Sequence, residues 1–232
     1  MDFSRYPITL ILIIANVIFS FVGFSNNVML TKTIGWPYYE KRNNQYYRFI
    51  TAGFLHADWM HLIFNMFTLY FFGSYLEIIF SAPGFGGSLT YVGLYFLGMI
   101  AADIPGYLKH QNDPNYRSLG ASGAVSAVIF AAIVFSPWDK IKLYGVFGIS
   151  ALVYAFLYVY YCIYMSKKNS DNINHDAHLW GSIFGFVFTI LLITIFRPDV
   201  FPFIINDLKN PSLFGRETLG PVLKYLFPPI IP

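Results

Sequence analysis

Apolar residues occur in long runs along this chain, and charged residues lie between the runs. A helix needs roughly 17 to 25 mostly apolar residues to cross a bilayer. Six segments meet this requirement: residues 7–24, 60–80, 88–106, 120–137, 145–165 and 177–196. Inside hydrocarbon only a helix satisfies its own backbone hydrogen bonds within one segment. The pattern therefore predicts an all-α polytopic membrane protein, with a six-helix membrane domain over residues 1–196.

The connections between these segments differ in character. Residues 25–59 form a long aromatic-rich connection, and connections of this length in compact proteins are usually functional. Ser166–Asp176 is polar and is predicted to be a mobile lid. After Phe196, prolines and charges interrupt every apolar run, which predicts an interfacial or flexible tail over residues 197–232. The first run has no small-residue cleavage site after it, so we interpret it as a retained span.

Composition supports a lipid bilayer as the environment of the chain. Of its 232 residues, 56% are hydrophobic and 12% are charged, and the net charge of +3 includes no basic cluster dense enough to follow nucleic acid. Seven Lys and Arg residues fall on one predicted side and eight on the other, so charge leaves the orientation open. The single cysteine, Cys162, excludes an intramolecular disulfide and is interpreted as a buried inert thiol.

Several polar residues occur inside or at the start of predicted spans, where they cost on the order of 2 kcal/mol or more. His61 and Asn65 are four apart on the second segment and share one helix face. They are either a hydrogen-bonded pair between helices or a functional pair. No thiol or carboxylate completes a metal set with His56 and His61, which are five residues apart, so no metal site is predicted.

Small residues surround a serine and a histidine at the starts of the fourth and sixth segments. The fourth segment begins with "GASG", in which Gly120 and Gly123 flank Ser122. The sixth begins with "AHLWGSIFG", in which Gly181 and Gly185 follow His178. A GxxxG spacing permits close backbone approach between helices. The small face of the fourth segment is therefore predicted to accept the glycine face of the sixth.

Successive spans cross the membrane in alternating directions, so all even-numbered spans start from the same surface. The serine, the histidine and the polar residues of the second segment therefore lie on one side of the membrane. A serine hydroxyl becomes a nucleophile when a base such as a neutral imidazole takes its proton. We predict Ser122 as the nucleophile and His178 as its base. His61, Asn65 and the backbone N–H groups at the start of the fourth helix are predicted to stabilise the oxyanion of a hydrolase.

With these motifs in this order, the chain resembles the rhomboid family of intramembrane serine proteases. Ser122 matches the family's GxSG, and His178 matches its AHxxGxxxG. The family's HxxxxHxxxN pattern falls on His56, His61 and Asn65, its loop arginine on Arg48, and the glycine and glutamate that close its second span on Gly73 and Glu77. Two departures are Tyr47, where a tryptophan often precedes the arginine, and Ser126, where some members carry an aromatic residue that packs on the histidine.

The resemblance implies a minimal six-helix form that cuts transmembrane segments of other membrane proteins through an acyl-enzyme, without a cofactor. It also implies a bacterial inner or plasma membrane location, with the site opening to the outer side. The alternatives are an inactive relative that binds membrane clients without cutting them, and a small transporter or channel. The second would more often show repeated halves, which this sequence lacks.

Five residues have structural interpretations. Arg48 and Glu77 are expected to fix the long first connection and the end of the second span. Asp176 is expected to cap the sixth helix rather than complete a triad. His175 and His110 are expected to be solvated loop histidines.

Overall fold

The structure is a computed structural model that describes residues 6–143, 147–168, 173–216 and 221–227. Its elements run in this order: α1 Pro7–Ser25, α2 Asn27–Thr33, α3 Pro37–Asn43, α4 Arg48–Thr51, α5 Trp59–Thr68, α6 Ser74–Ser81, α7 Gly87–His110, α8 Ser122–Phe135, β1 Lys140–Leu143, β2 Phe147–Ser150, α9 Ala151–Lys168, α10 His175–Phe196, α11 Phe201–Leu208 and α12 Pro221–Leu226. A π-helical turn, Leu69–Gly73, joins α5 to α6 into one continuous helix.

Four of the described helices are long and apolar enough to cross a membrane. They are Pro7–Ser25, Trp59–Ser81, Gly87–His110 and His175–Phe196. The two other predicted segments contain α8 and α9. The predicted fold class, a helical polytopic membrane protein, is confirmed.

Helix α8 is shorter than the others and lies at the centre of the bundle. Its 14 residues extend about 21 Å at 1.5 Å per residue, against a hydrocarbon thickness of about 30 Å. Every residue from Gly123 to Phe135 is buried. Because α8 contacts protein on all sides, it does not need to span the lipid, and Ser122 at its start lies within the bundle.

The fifth helix begins later than the apolar run predicts. Residues 145–146 lie outside the described residues, and Phe147–Ser150 pairs antiparallel with Lys140–Leu143, with Lys140 opposite Ser150. Both strands alternate larger apolar residues with Lys, Gly or Ser, which is the strand period of two. A count of apolar residues over a long window misses this alternation, and α9 starts only at Ala151.

Helix α1 has its polar residues inside and its apolar residues outside. Thr9, Asn16 and Ser20 are fully buried, whereas Ile11 and Ile18 are more than half exposed. An apolar outer surface is suited to lipid, and buried polar side chains can bond to neighbouring helices. Helix α1 therefore lies at the lipid-facing edge of the bundle.

Hydrogen bonds attach α1 along its length. Glu77 of α6 accepts the backbone N–H groups of Ile8 and Thr9 at 2.8 Å each and the Thr9 hydroxyl at 2.7 Å. The Asn16 amide donates to the Tyr95 hydroxyl of α7 at 3.0 Å. Glu77 thus satisfies the open N-terminus of α1 and ties the end of the second span to it.

The segment after Phe196 packs against the body of the protein. Ile204 of α11 and Leu223 of α12 are buried in the main core. The backbone N–H of Lys140 donates to the Arg216 carbonyl at 2.9 Å, and that of Ser150 donates to the Leu213 carbonyl at 3.2 Å. The described part of this segment is therefore docked on the hairpin.

Candidate active site

Helices α8 and α10 contact each other backbone to backbone. A Cβ built on Gly181 would lie 2.2 Å from the Gly123 carbonyl oxygen, and one built on Gly185 would lie 2.0 Å from that of Ala127. Both pairs advance in the same direction along the chain, so the helices run parallel. The predicted contact between the small face of the fourth segment and the glycines of the sixth is confirmed.

Ser122 and His178 lie at the same end of this contact. Ser122 is the first residue of α8, and His178 is in the first turn of α10. The Cβ position of Gly123, which follows Ser122, is 3.6 Å from the carbonyl oxygen of Ala177, which precedes His178. Both side chains are half-buried. The close crossing thus brings the two predicted catalytic residues to adjoining positions.

Gly120 is the point where His61 and Ser122 converge. A Cβ at Gly120 would lie 2.8 Å from His61 Cε1, 3.1 Å from His61 Nε2 and 3.7 Å from Ser122 Oγ. Gly120 also has φ +126°, a conformation that L side chains rarely adopt. Glycine is therefore required here for both its backbone conformation and the space that it leaves to the imidazole.

The contacts of His61 favour the tautomer that carries its proton on Nε2. The Nδ1 atom accepts the Ala57 backbone N–H at 3.5 Å, which is long for such a bond. In a neutral imidazole, one nitrogen accepts and the other carries the proton. The proton is then on Nε2, on the ring edge that faces Gly120 and Ser122. The Asp58 carboxylate caps α5 by accepting the His61 N–H at 2.8 Å.

Asn65 is buried one turn further along the same face of α5. Its amide donates to the His61 carbonyl oxygen at 3.0 Å, so one of its two amide hydrogens is used within its own helix. No described contact joins Asn65 to Ser122, and its role at an oxyanion stays a prediction.

His56 supports His61 from behind. Its ring packs edge-on against the His61 ring at 5.0 Å, and its Nδ1 bonds to the Ser20 hydroxyl of α1 at 2.8 Å. Burial, together with the neighbouring His61, lowers the pKa of His56 to about 3. His56 is therefore neutral at ordinary pH and adds no charge beside His61.

Arg48 fixes the long first connection. The side chain is buried, and its guanidinium donates to the Thr31 carbonyl at 3.0 Å, the Ile34 carbonyl at 2.6 Å and the Gln45 side chain at 2.8 Å. One arginine thus holds three points of the connection that precedes His56.

Residues 43–195 match the family model of the Rhomboid domain, and this match covers more than half of the chain. The chain belongs to the rhomboid family. It is 29% identical over 169 residues to the rhomboid protease GlpG of Haemophilus influenzae, covering 72% of this chain and 79% of the relative. It is 30% identical to the putative rhomboid protease YdcA of Bacillus subtilis, covering 65% and 69%.

For a plant relative, the match covers a smaller share of the relative's length. The chain is 32% identical to the chloroplastic Rhomboid-like protein 11 of Arabidopsis thaliana over 63% of this chain and 52% of the relative. The chain thus spans about half the length of that protein. Together with the four spanning helices, the family membership shows that this rhomboid protein is an integral membrane protein.

The aromatic residue beside His178 comes from a different helix than the family pattern suggests. Where some rhomboid proteins carry an aromatic residue four positions after the serine, this chain has Ser126. The Ser126 hydroxyl bonds to the Tyr158 hydroxyl of α9 at 2.9 Å, and the Tyr158 ring stacks on His178 with centroids 6.1 Å apart and an interplanar angle of 20°. Sequence reasoning missed Tyr158 because no local motif marks it among the many tyrosines of this rhomboid protein.

Two expectations about the start of the sixth helix were wrong. His175 is not solvated, because it is 3% exposed and packs edge-on against Tyr161 at 5.3 Å. The N-cap is Asn174, whose side chain accepts the Ala177 N–H at 3.0 Å. Asp176 lies inside the first turn instead, where it pairs with Lys109 at 3.2 Å. The helix starts one residue before the expected cap, so the preceding asparagine takes that role.

The remaining predictions near this site have mixed outcomes. His110 is partly buried and stacks on Tyr116 with centroids 3.7 Å apart. The predicted lid, Ser166–Asp176, includes residues 169–172, which lie outside the described residues.

Cys162 is buried as expected. Its sulfur lies close to ring nitrogens of His175 and His178, a grouping that sequence spacing does not reveal.

Proposed function

We propose that this protein is an intramembrane serine endopeptidase that cleaves transmembrane segments of other membrane proteins. The observation that carries the proposal is the convergence of the Ser122 hydroxyl and the His61 ring on Gly120. This convergence is at the end of the α8–α10 contact where His178 lies. Relatives named as rhomboid proteases support the same reaction class.

The proposed reaction proceeds in two steps through an acyl-enzyme. His178 takes the proton of Ser122 as Oγ attacks the substrate carbonyl carbon, and then gives that proton to the leaving amine when the peptide bond breaks. Water, activated in turn by His178, hydrolyses the ester on Ser122. The His61 Nε2–H, the Asn65 amide and backbone N–H groups at the start of α8 stabilise the tetrahedral oxyanion in both steps.

A groove on the lipid-facing side supports a helical substrate. It has a volume of about 960 Å³ and lies between α5 and the second half of α8, with Phe64, Phe67 and Ile133 among its mainly apolar lining. Ile133 lies 11 residues beyond Ser122, about 16 Å along the helix axis. A transmembrane segment in this groove would have its apolar part beside α5 and one end near Ser122.

The site opens at the surface from which the second, fourth and sixth predicted spans start. We place this surface on the outer side of the membrane by resemblance to the family, because the charge distribution does not decide the orientation. The relatives include chloroplastic and mitochondrial proteins as well as bacterial ones. The bacterial inner membrane is therefore part of the proposal.

The decisive experiment compares the wild type with Ser122→Ala and His178→Ala in detergent, using a single-span test substrate and a serine-directed fluorophosphonate. We expect cleavage and labelling in the wild type, and neither in Ser122→Ala. Full activity in either variant would overturn the dyad. A folded wild type that binds the substrate but neither cleaves it nor takes the label would favour a client-binding relative.

The oxyanion assignment has its own test. His61→Ala should lower kcat by roughly 100- to 1,000-fold, as removal of one oxyanion donor does in other hydrolases. His110→Ala is the matched control, because it removes a histidine outside the site. Equal rates for the two variants would exclude His61 from the reaction.

A further inference from the structure

Three side chains that commonly bind metals lie together beside the proposed base. They are Cys162 of α9 and the pair His175 and His178 of α10. The Cys162 sulfur and one nitrogen of each ring all lie within 4.8 Å of one another. The two histidines are three residues apart and so share a helix face, and Cys162 approaches them from the neighbouring helix.

The chemistry of the three donors fits zinc. Zinc binds thiolate at about 2.3 Å and imidazole at roughly 2.0–2.1 Å in tetrahedral geometry, which puts neighbouring donors roughly 3.3–3.7 Å apart. Donors separated by 4.8 Å at most reach that spacing by approaching one another by about 1.1–1.5 Å at most. Three protein ligands leave a fourth position for water.

The surroundings provide both a protected site and a way in. Cys162 is 0% and His175 is 3% exposed, so two of the ligands are shielded from bulk water. His178 is only half-buried, so a cation reaches the cluster through the same opening that would supply water to Ser122. The rings of Tyr161 and Tyr158 pack against His175 and His178 and hold the imidazoles in orientation.

We propose that Cys162, His175 and His178 form a zinc-binding site, and that zinc bound there switches off proteolysis. The inhibitory part rests on the proposed function, whereas the binding part does not. A neutral imidazole has one lone pair for a metal or a proton, and its other nitrogen carries hydrogen. If either nitrogen of His178 binds zinc, the other is protonated and cannot accept the proton of Ser122. Inhibition therefore follows whichever nitrogen is used.

Cobalt spectroscopy on the full chain in detergent tests binding without any need for activity. Cys162 is the only cysteine in the protein, so a thiolate-to-cobalt charge-transfer band can arise only from it. We expect this near-ultraviolet band in the wild type and in Ser122→Ala, its displacement by added zinc, and its absence in Cys162→Ala. A wild type without the band would overturn the site. His175→Ala should bind cobalt at least tenfold more weakly, and unchanged affinity would exclude His175 as a ligand.

Zinc titration of cleavage tests the regulatory part. Each variant is compared with its own activity without zinc, and a chelator should restore that activity. Cys162→Ala should need roughly tenfold or more zinc for half-inhibition, because loss of even an outer-shell partner of a metal site typically costs about 10- to 100-fold in affinity. His110→Ala should match the wild type. Equal inhibition of Cys162→Ala and the wild type, alongside a clear cobalt band, would overturn the switch while leaving the binding site intact.

Discussion

The α8–α10 contact and the attachment of α1 hold helices together by different means. At α8–α10 the backbones touch, with Gly181 and Gly185 against the carbonyl oxygens of Gly123 and Ala127. Helix α1 is attached through buried hydrogen bonds, of which those to Glu77 are the most numerous. Lipid gives no hydrophobic driving force between helices, so both close packing and hydrogen bonds are available solutions. Close packing fixes the distance between two helices. In this protein it occurs between α8 and α10, where Ser122 and His178 must lie next to each other.

The largest effect is expected from a methyl group in the backbone contact. Gly185→Ala would put its Cβ 2.0 Å from the Ala127 carbonyl oxygen, so α10 must move away from α8. A displacement of about 1 Å at a catalytic site can cost roughly 100-fold in rate, and overpacking costs about 1–3 kcal/mol of stability. We expect both losses, measured by substrate cleavage and by thermal unfolding.

Gly93→Ala in α7 is the matched control, because nothing lies within 4 Å of its Cβ position. The exchange should raise stability by about 0.5–1 kcal/mol, as alanine does over glycine inside a helix, with unchanged cleavage. Similar changes in stability and cleavage for Gly185→Ala and Gly93→Ala would show that the α8–α10 spacing does not control the site.

The next effect concerns the attachment of α1. Glu77→Gln removes the charge and leaves one oxygen to accept, so the free energy of unfolding should fall by about 1.5–3 kcal/mol, the value of a hydrogen bond to a charged group. Cleavage by the folded fraction should stay within about threefold of wild type, because α1 carries none of the proposed catalytic residues. Unfolding in denaturing detergent measures the free energy of unfolding, and initial rates measure cleavage. A loss of rate as large as that in Gly185→Ala would erase the distinction between the two regions.

A smaller effect is expected at Tyr158, which stacks on His178. Tyr158→Leu should lower kcat by roughly three- to tenfold with KM unchanged, since an aromatic pair contributes about 0.5–1.5 kcal/mol. Tyr158→Phe keeps the ring and should lose less. If both variants lose the same amount, the hydroxyl that bonds to Ser126 matters more than the stacked ring.

The smallest effect is expected at Tyr95, whose hydroxyl accepts from Asn16. Tyr95→Phe should lower the free energy of unfolding by about 0.6 kcal/mol, the mean for single hydrogen bonds between membrane helices. Activity should not change. A loss above that of Glu77→Gln would mean that Asn16, rather than Glu77, is the main attachment of α1.

The sequence predicted those features of the fold and the site whose pattern of residues lies within a single segment. Apolar runs located the helices, and the small residues after Ser122 and His178 predicted the close contact between α8 and α10. The pairing of Lys140–Leu143 with Phe147–Ser150 was missed because the first strand is a short segment of a charged connection and the second lies inside the predicted fifth apolar run.

Contacts between distant segments could not be predicted where no local motif marks them. Tyr158 and Cys162 approach His178 only because α9 packs beside α10, and neither residue belongs to a local motif. His175 was expected in water because it follows a polar loop, yet the same packing buries it under Tyr161. Burial depends on which helix faces the residue, and that information is absent from its neighbours along the chain.

The π turn at Leu69–Gly73 has a consequence for insertions and deletions. A π turn accommodates one more residue than an α-helical turn, and each residue of an α-helix rotates the chain by about 100°. The extra residue offsets the smaller rotation per residue in the π turn, so His61 is directed towards Gly120 and Glu77 towards Thr9. Deletion of one residue within the turn would convert it to an α turn and leave Glu77 facing Thr9, whereas insertion of one more residue would rotate Glu77 by about 100°. We expect this span to tolerate the deletion better than the insertion.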